Sequence, residues 1–257
     1  MEVKILLACR LALLSLILVT ASSAQELKVA AAADLSIAME KVGALFTKQT
    51  GVVLKVSYGS SGHFYSEIRN GAPFDIFLSA DRSYPDALDE AGKTDQKTTV
   101  YALGKLVLWI SNKVGADPSV KDLAVLILPG VRKIAIANPE HAPYGRAAVA
   151  AMVHCTIYDR VKPKLVMGEN VAQAAQFAES GNAEAAMIPL SLALSDRMKK
   201  SGRYALVAQD SYPPLFQAAV VLSSSQSKQQ AHRFIEFLRS STAQKILQEN
   251  GFEAPRK

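Results

Sequence analysis

Four short stretches of this chain place hydrogen-bond donors where an apolar run meets a helical pattern: Ala33-Asp34, Gly59-Ser60-Ser61-Gly62, Pro143-Tyr144-Gly145 and Asn170-Val171. The chemistry open to such places is anion capture. The first N–H groups of a helix have no partner within it and lie at the positive end of its dipole. Ser60 and Ser61 add hydroxyl donors, and Gly59 and Gly62 let the backbone come close to a ligand. Asn170 stands where it would cap a helix with apolar positions Val171, Ala174, Ala175 and Ala178, which leaves the Val171 N–H at the pole. Tyr144 offers both an amide and a phenol to a cleft. Each helix end is worth roughly 0.3–1 kcal/mol to a nearby anion, rising to about 2 when partly buried. Three or four together support micromolar binding, which takes roughly 8 kcal/mol net, with no arginine at the contact.

The elements that must position these donors follow an α/β pattern. Residues 27–33 read as a buried strand. From Asp34 the apolar positions Leu35, Ala38, Met39, Val42, Leu45 and Phe46 fall three and four apart, which marks one helical face. A strand over 52–58, a helix over 63–70, a strand over 75–78 and a helix capped by Asp81 and running to 91 follow. A second run starts with a strand over 105–110. It continues with a helix near 120–126, a strand at 133–137, a helix at 145–154, a strand at 165–167, a helix at 171–179 and a strand at 185–188. A late strand over 216–222 leads into helices at 228–238 and 243–249. Two successive α/β units imply two lobes, each a mostly parallel sheet flanked by helices, with a ligand cleft between them. The expected division is 25–104 with 218–257 as the first lobe and 105–217 as the second. Ligands of open α/β sheets sit at the carboxyl ends of strands, and that rule selects the four junctions named above.

Residues 1–24 stand apart. Lys4 and Arg10 precede or interrupt an apolar run over 11–19 that ends in small residues, the pattern of a secretory signal peptide cleaved near Ala24. The run is shorter than the ~20 residues of a membrane span. The net charge of +6 over the chain falls by one when Glu2, Lys4 and Arg10 leave with the signal. The basic residues are scattered, so a nucleic-acid groove is not expected. Of the two cysteines only Cys155 remains, which allows no intramolecular disulfide and reads as a buried small apolar residue.

The segments Ala31-Ala32-Ala33-Asp34-Leu35, Tyr58-Gly59-Ser60-Ser61-Gly62, Gly71-Ala72-Pro73-Phe74-Asp75-Ile76-Phe77-Leu78-Ser79-Ala80-Asp81 and Asn138-Pro139-Glu140-His141-Ala142-Pro143-Tyr144-Gly145 resemble the periplasmic molybdate-binding proteins of ABC transporters. The resemblance covers nearly the whole chain after residue 24. It implies a two-lobed, hinge-closing binding protein of the type II periplasmic class. Such a protein carries molybdate, and usually tungstate, to a membrane permease, acts as a monomer without a cofactor or direct cation ligands, and is no enzyme. Carried over position by position, the oxyanion contacts fall at Ala33 or Asp34, Ser61, Tyr144 and Val171. Many relatives have Ser or Asn where Asp34 stands. Some have a binding Tyr near the strand end held here by Ile188-Pro189-Leu190, a place that Tyr144 takes over.

Alternatives remain at this point. Asp34 either caps its own helix at the Ser36 or Ile37 amide, leaving only backbone N–H groups for the ligand, or faces the cleft and accepts a bond from a protonated anion such as hydrogen phosphate. Phosphate and sulfate compete with molybdate as ligands. Gly59-Ser60-Ser61-Gly62-His63 is also similar to a serine nucleophile elbow, the mark of a secreted hydrolase using Ser61, although its spacing departs from Gly-x-Ser-x-Gly. Arg146 either steers anions or occupies a solvated helix position.

Overall fold

The strand β1 (Glu26–Ala32) carries four buried residues in a row at its C-terminal end. Its position explains that composition. It lies between β2 (Val53–Gly59) and β3 (Ile76–Ser79), parallel to both, and an interior parallel strand covered on both faces must be apolar throughout. The computed structural model describes residues 25–115 and 123–255. The expected signal peptide therefore lies outside the described residues.

The strand β4 (Thr99–Gly104) completes the first lobe's run. The second lobe holds β5 (Leu106–Ser111), β6 (Ile134–Ala137), β7 (Leu165–Gly168), β8 (Ala185–Pro189) and β9 (Gly202–Leu206), after which β10 (Leu215–Val221) returns. The two five-stranded sheets have the orders β2-β1-β3-β10-β4 and β7-β6-β8-β5-β9. In each, four strands run one way and one runs against them, β10 in the first and β5 in the second. The two-lobed α/β arrangement expected from the alternation is the one observed.

Helices flank both sheets: α1 (Ser36–Thr50), α2 (Ser61–Arg69) and α3 (Ser83–Glu90) on the first, α4 (Pro143–His154) and α5 (Val171–Glu179) on the second. The C-terminal pair α6 (Lys228–Leu238) and α7 (Ser241–Glu249) packs back on the first lobe, where Phe46 and Phe234 meet edge to face at 5.0 Å. The second core centres on Trp109, whose Nε1–H donates to the Met198 carbonyl at 3.0 Å. The chain crosses between lobes twice, from β4 to β5 and from β9 to β10. The crossings brace each other, since the Leu106 N–H donates to the Tyr212 hydroxyl at 3.2 Å.

Some boundaries differ from expectation for local reasons. The helix expected near 120–126 falls partly on residues 116–122, outside the described residues, and Ala124–Ile127 is a single 3-10 turn entered through Leu123 at φ 59. The helix α2 begins two residues early because the Ser60 hydroxyl accepts from the His63 N–H and fixes the first turn. The strands β4 and β9 have no counterpart in the sequence reading. Their residues, TVYALG and GRYAL, mix glycine with half-exposed positions, and it is pairing with β10 and β5 that makes them strands. Cys155 follows α4 half-buried rather than buried, against the second core.

Candidate functional site

All four junctions converge. One pocket is lined by Ala32, Ala33 and Asp34 at the end of β1, Gly59, Ser60 and Ser61 at the end of β2, Ala142, Pro143 and Tyr144 at the start of α4, and Asn170 and Val171 at the start of α5, with Ala80 beside them. The five residues selected from the sequence, Ala33, Asp34, Ser61, Tyr144 and Val171, thus lie around one space, two lobes contributing to it.

The donors are left free by the way each helix is capped. At α5 the Asn170 carboxamide oxygen accepts from the Ala172 and Gln173 N–H groups at 2.9 and 3.1 Å, which leaves the Val171 N–H without a protein acceptor. At α2 the Ser60 hydroxyl takes the His63 N–H and the His141 carbonyl of the other lobe takes the Gly62 N–H at 2.9 Å, which leaves the Ser61 N–H. At α4 the first position is Pro143, which has no N–H to satisfy, and the Tyr144 amide follows without an acceptor. The Ser61 Oγ accepts from the Ala80 N–H at 3.0 Å, so its own proton remains for a ligand. No Lys, Arg or His lines the pocket. Among the described residues no three His, Cys, Asp or Glu side chains are grouped to hold a metal ion.

Asp34 does not cap its helix. The chain enters α1 through a 3-10 turn, Ala33–Leu35, and neither that turn nor α1 has a side-chain cap bond. The carboxylate turns instead to β10, where its Oδ2 accepts from the Gln217 Nε2–H at 2.8 Å, and the Asp34 carbonyl accepts from the Ser191 hydroxyl at 2.7 Å. Burial without a cation pushes the Asp34 pKa up to about 7, and the groups that favour the carboxylate, Tyr144 and Gln217 first and then the amides of its own turn, offset this only in part. Tyr144 lies close enough to couple with Asp34, yet its hydroxyl and Asp34 Oδ1 both lack a hydrogen bond of good geometry. Burial, and then the Asp34 charge, raise the Tyr144 and Tyr101 pKa values well above the ordinary phenol range. Gly104, the last residue of β4, makes room for this cluster: a Cβ there would fall 2.0 Å from the Tyr144 hydroxyl.

Arg146 is neither a free steering charge nor a solvated position. It reaches across the cleft to Asp81 at 2.6 Å and donates to the Tyr84 hydroxyl at 2.9 Å. At the cleft mouth His63 stacks on His141 with ring centroids 4.0 Å apart, and His63 Nδ1 lies 3.2 Å from Glu169. Burial, followed by the charge of His63, lowers the His141 pKa. These imidazoles line a separate cavity, so no histidine shares the pocket of Ser61.

Sequence reasoning missed Ala80, Gln217 and Gly104. Ala80 follows β3 and was within reach of the strand-end rule. Gln217 is a lone polar residue in LFQAAVV, and a fully buried amide requires a partner. Nothing in the sequence places Gly104 against Tyr144.

The chain matches the model of a family described as bacterial extracellular solute-binding protein over residues 27–253. It is 37% identical over 233 residues to the molybdate-binding protein ModA of Rhodobacter capsulatus, covering 90% of this chain and 89% of that protein. It is 36% identical over 237 residues to the molybdate-binding protein ModA of Azotobacter vinelandii, covering 92% and 93%. The solved structure of the Azotobacter vinelandii periplasmic molybdate-binding protein superposes with a TM-score of 0.83 at 33% identity, over 90% of this chain and 100% of that one. The fold, the interlobe pocket and these likenesses together show that the chain belongs to the bacterial extracellular solute-binding protein family.

Proposed function

We propose that this protein captures molybdate, and tungstate with it, in the pocket between its lobes and delivers it to a membrane ABC permease. It does so in the periplasm, as a monomer without a cofactor, after residues 1–24 are removed near Ala24. The observation that carries the reading is the convergence of unpaired N–H groups from Ser61, Tyr144 and Val171, with the Ser61 hydroxyl, on one pocket that no cationic side chain enters. Neutral donors at helix ends suit a fully ionised tetrahedral oxyanion, whose every oxygen accepts and none donates. The relatives named for molybdate support the choice among oxyanions. Ala33 or Asp34, Ser61, Tyr144 and Val171 are the contacts, made largely through main-chain amides, and the two crossings between lobes act as the hinge.

A thermal-shift series with molybdate, tungstate, sulfate and phosphate tests this. A ligand at a hundred times its dissociation constant stabilises by about 2.7 kcal/mol, which raises Tm by roughly 5–10 °C in a protein of this size. Molybdate and tungstate are expected to act at the lowest concentrations. A response to sulfate or phosphate at lower concentration would reassign the ligand, and no response to any of the four would overturn the function.

A further inference from the structure

Three polar atoms next to the pocket are buried without a hydrogen-bond partner: Asp34 Oδ1, the Tyr144 hydroxyl and Gln217 Oε1. They belong to one cluster that forms only with the lobes together, because Asp34 and Gln217 come from the first sheet's side and Tyr144 from α4 of the second lobe. Asp34 is 0% exposed and also lines the pocket. The ionisable groups facing it are Tyr101 from β4 and Tyr144, with Tyr212 beyond Tyr144. None is a cation. The helix α5 and the Leu190–Ala193 turn, which pack on the Ala33–Leu35 turn, bring Val171 and Ser191 to the site.

An ionised Asp34 would line the same cation-free pocket as a doubly charged ligand, and like charges in one pocket favour protonation of the weaker acid. A protonated carboxyl changes the arrangement: it gains an O–H donor, and the unpartnered Tyr144 hydroxyl oxygen is the acceptor beside it. We propose that Asp34 is the proton-carrying residue of this pocket: capture of a doubly charged oxyanion draws one proton from solvent onto its carboxyl, and the new O–H donates within the Tyr144–Gln217 cluster as the lobes close. The balance is simple. One proton leaves the solvent, one O–H bond forms on Asp34, and the oxyanion stays fully ionised. The ligand-free carboxyl, already held up to about 7 by burial, is placed so that this uptake falls in the physiological range.

The inference rests on the oxyanion-binding reading and is tested with molybdate as the probe. Titration calorimetry of the full-length mature protein at about pH 8, in two buffers of different ionisation enthalpy, is expected to show close to one proton taken up per molybdate bound, and affinity falling about tenfold per pH unit above that point. Well below the carboxyl's midpoint, at about pH 5.5, the uptake disappears. Asp34→Asn is expected to bind with no proton uptake and with an affinity flat across the same range. Independently of any variant, a protonated-carboxyl C=O band should grow in the infrared difference spectrum on adding molybdate at about pH 8. The double variant His63→Gln, His141→Gln retains the uptake. Binding without proton uptake, or uptake that survives in Asp34→Asn or vanishes with the histidines, overturns the proposal. Failure of every oxyanion to bind at about pH 5.5 would instead strike the function on which it rests.

Discussion

Asp34 and Asn170 stand one in each lobe, Asp34 after the inner strand β1 and Asn170 after the edge strand β7, each preceding a helix that opens on the pocket. Asn170 is half-exposed and folds its carboxamide back onto the Ala172 and Gln173 amides. Asp34 is wholly buried, and its carboxylate accepts from Gln217, 183 residues away. Both junctions line the same pocket, where the Asn170 junction leaves the Val171 N–H without a protein acceptor. The contrast separates two ways of building an anion site. A cap is a local device that frees the first N–H by occupying the next two. A buried carboxyl is a tertiary device whose charge state depends on everything packed around it.

The comparison breaks most sharply at Asp34. The folded protein holds this proton up to about 7 whereas the unfolded chain releases it near 3.8, so the folded state binds more protons between those values. Stability is therefore full at low pH and is lost as pH rises from about 4 through about 7. Asp34→Asn removes the slope: urea denaturation of the ligand-free protein at about pH 8 should show it more stable by up to about 4 kcal/mol, and no more stable at about pH 4. Equal stabilities at both pH values would mean that the carboxyl is not buried in the ionised form.

Gly104→Ala comes next in size. The added Cβ meets the Tyr144 hydroxyl, on a rigid ring held in the helix α4, so the aromatic must move or the lobes must part. A destabilisation of about 1–3 kcal/mol is expected, together with a weakened thermal response to molybdate. A variant that melts and binds like the parent would show that the cluster is loosely packed. The smallest effect belongs to the local device: Asn170→Ala should cost about 1 kcal/mol in denaturant unfolding, with no change in the pH dependence of stability. A pH dependence appearing there would erase the distinction between the two junctions.

Much of the pocket was legible because strand ends and helix starts are written in short stretches. The residues 171–179 form a helix from their own spacing and Asn170 caps it through its own backbone, so both were readable without the rest of the chain. The same reading failed for Asp34, to which it allowed a cap at Ser36 or Ile37. Capping is decided by the local turn, but here a 3-10 turn precedes α1 and a distant amide competes for the carboxylate. Arg146 escaped a definite role for a similar reason, since Asp81 and Tyr84 belong to the other lobe and meet it only across the cleft.

The sequence by itself determined the alternation of strands and helices, the two-lobed α/β class and the four junctions that carry donors, because hydrophobic period and capping act over a few residues. Only the tertiary structure decided that these junctions face one pocket, that Gly104 admits Tyr144, and that Asp34 is buried beside Gln217. Those facts depend on pairing β10 between β3 and β4, a contact between chain segments more than a hundred residues apart. Desolvation, which sets the Asp34 proton, is a property of the assembled cleft and of no residue in it.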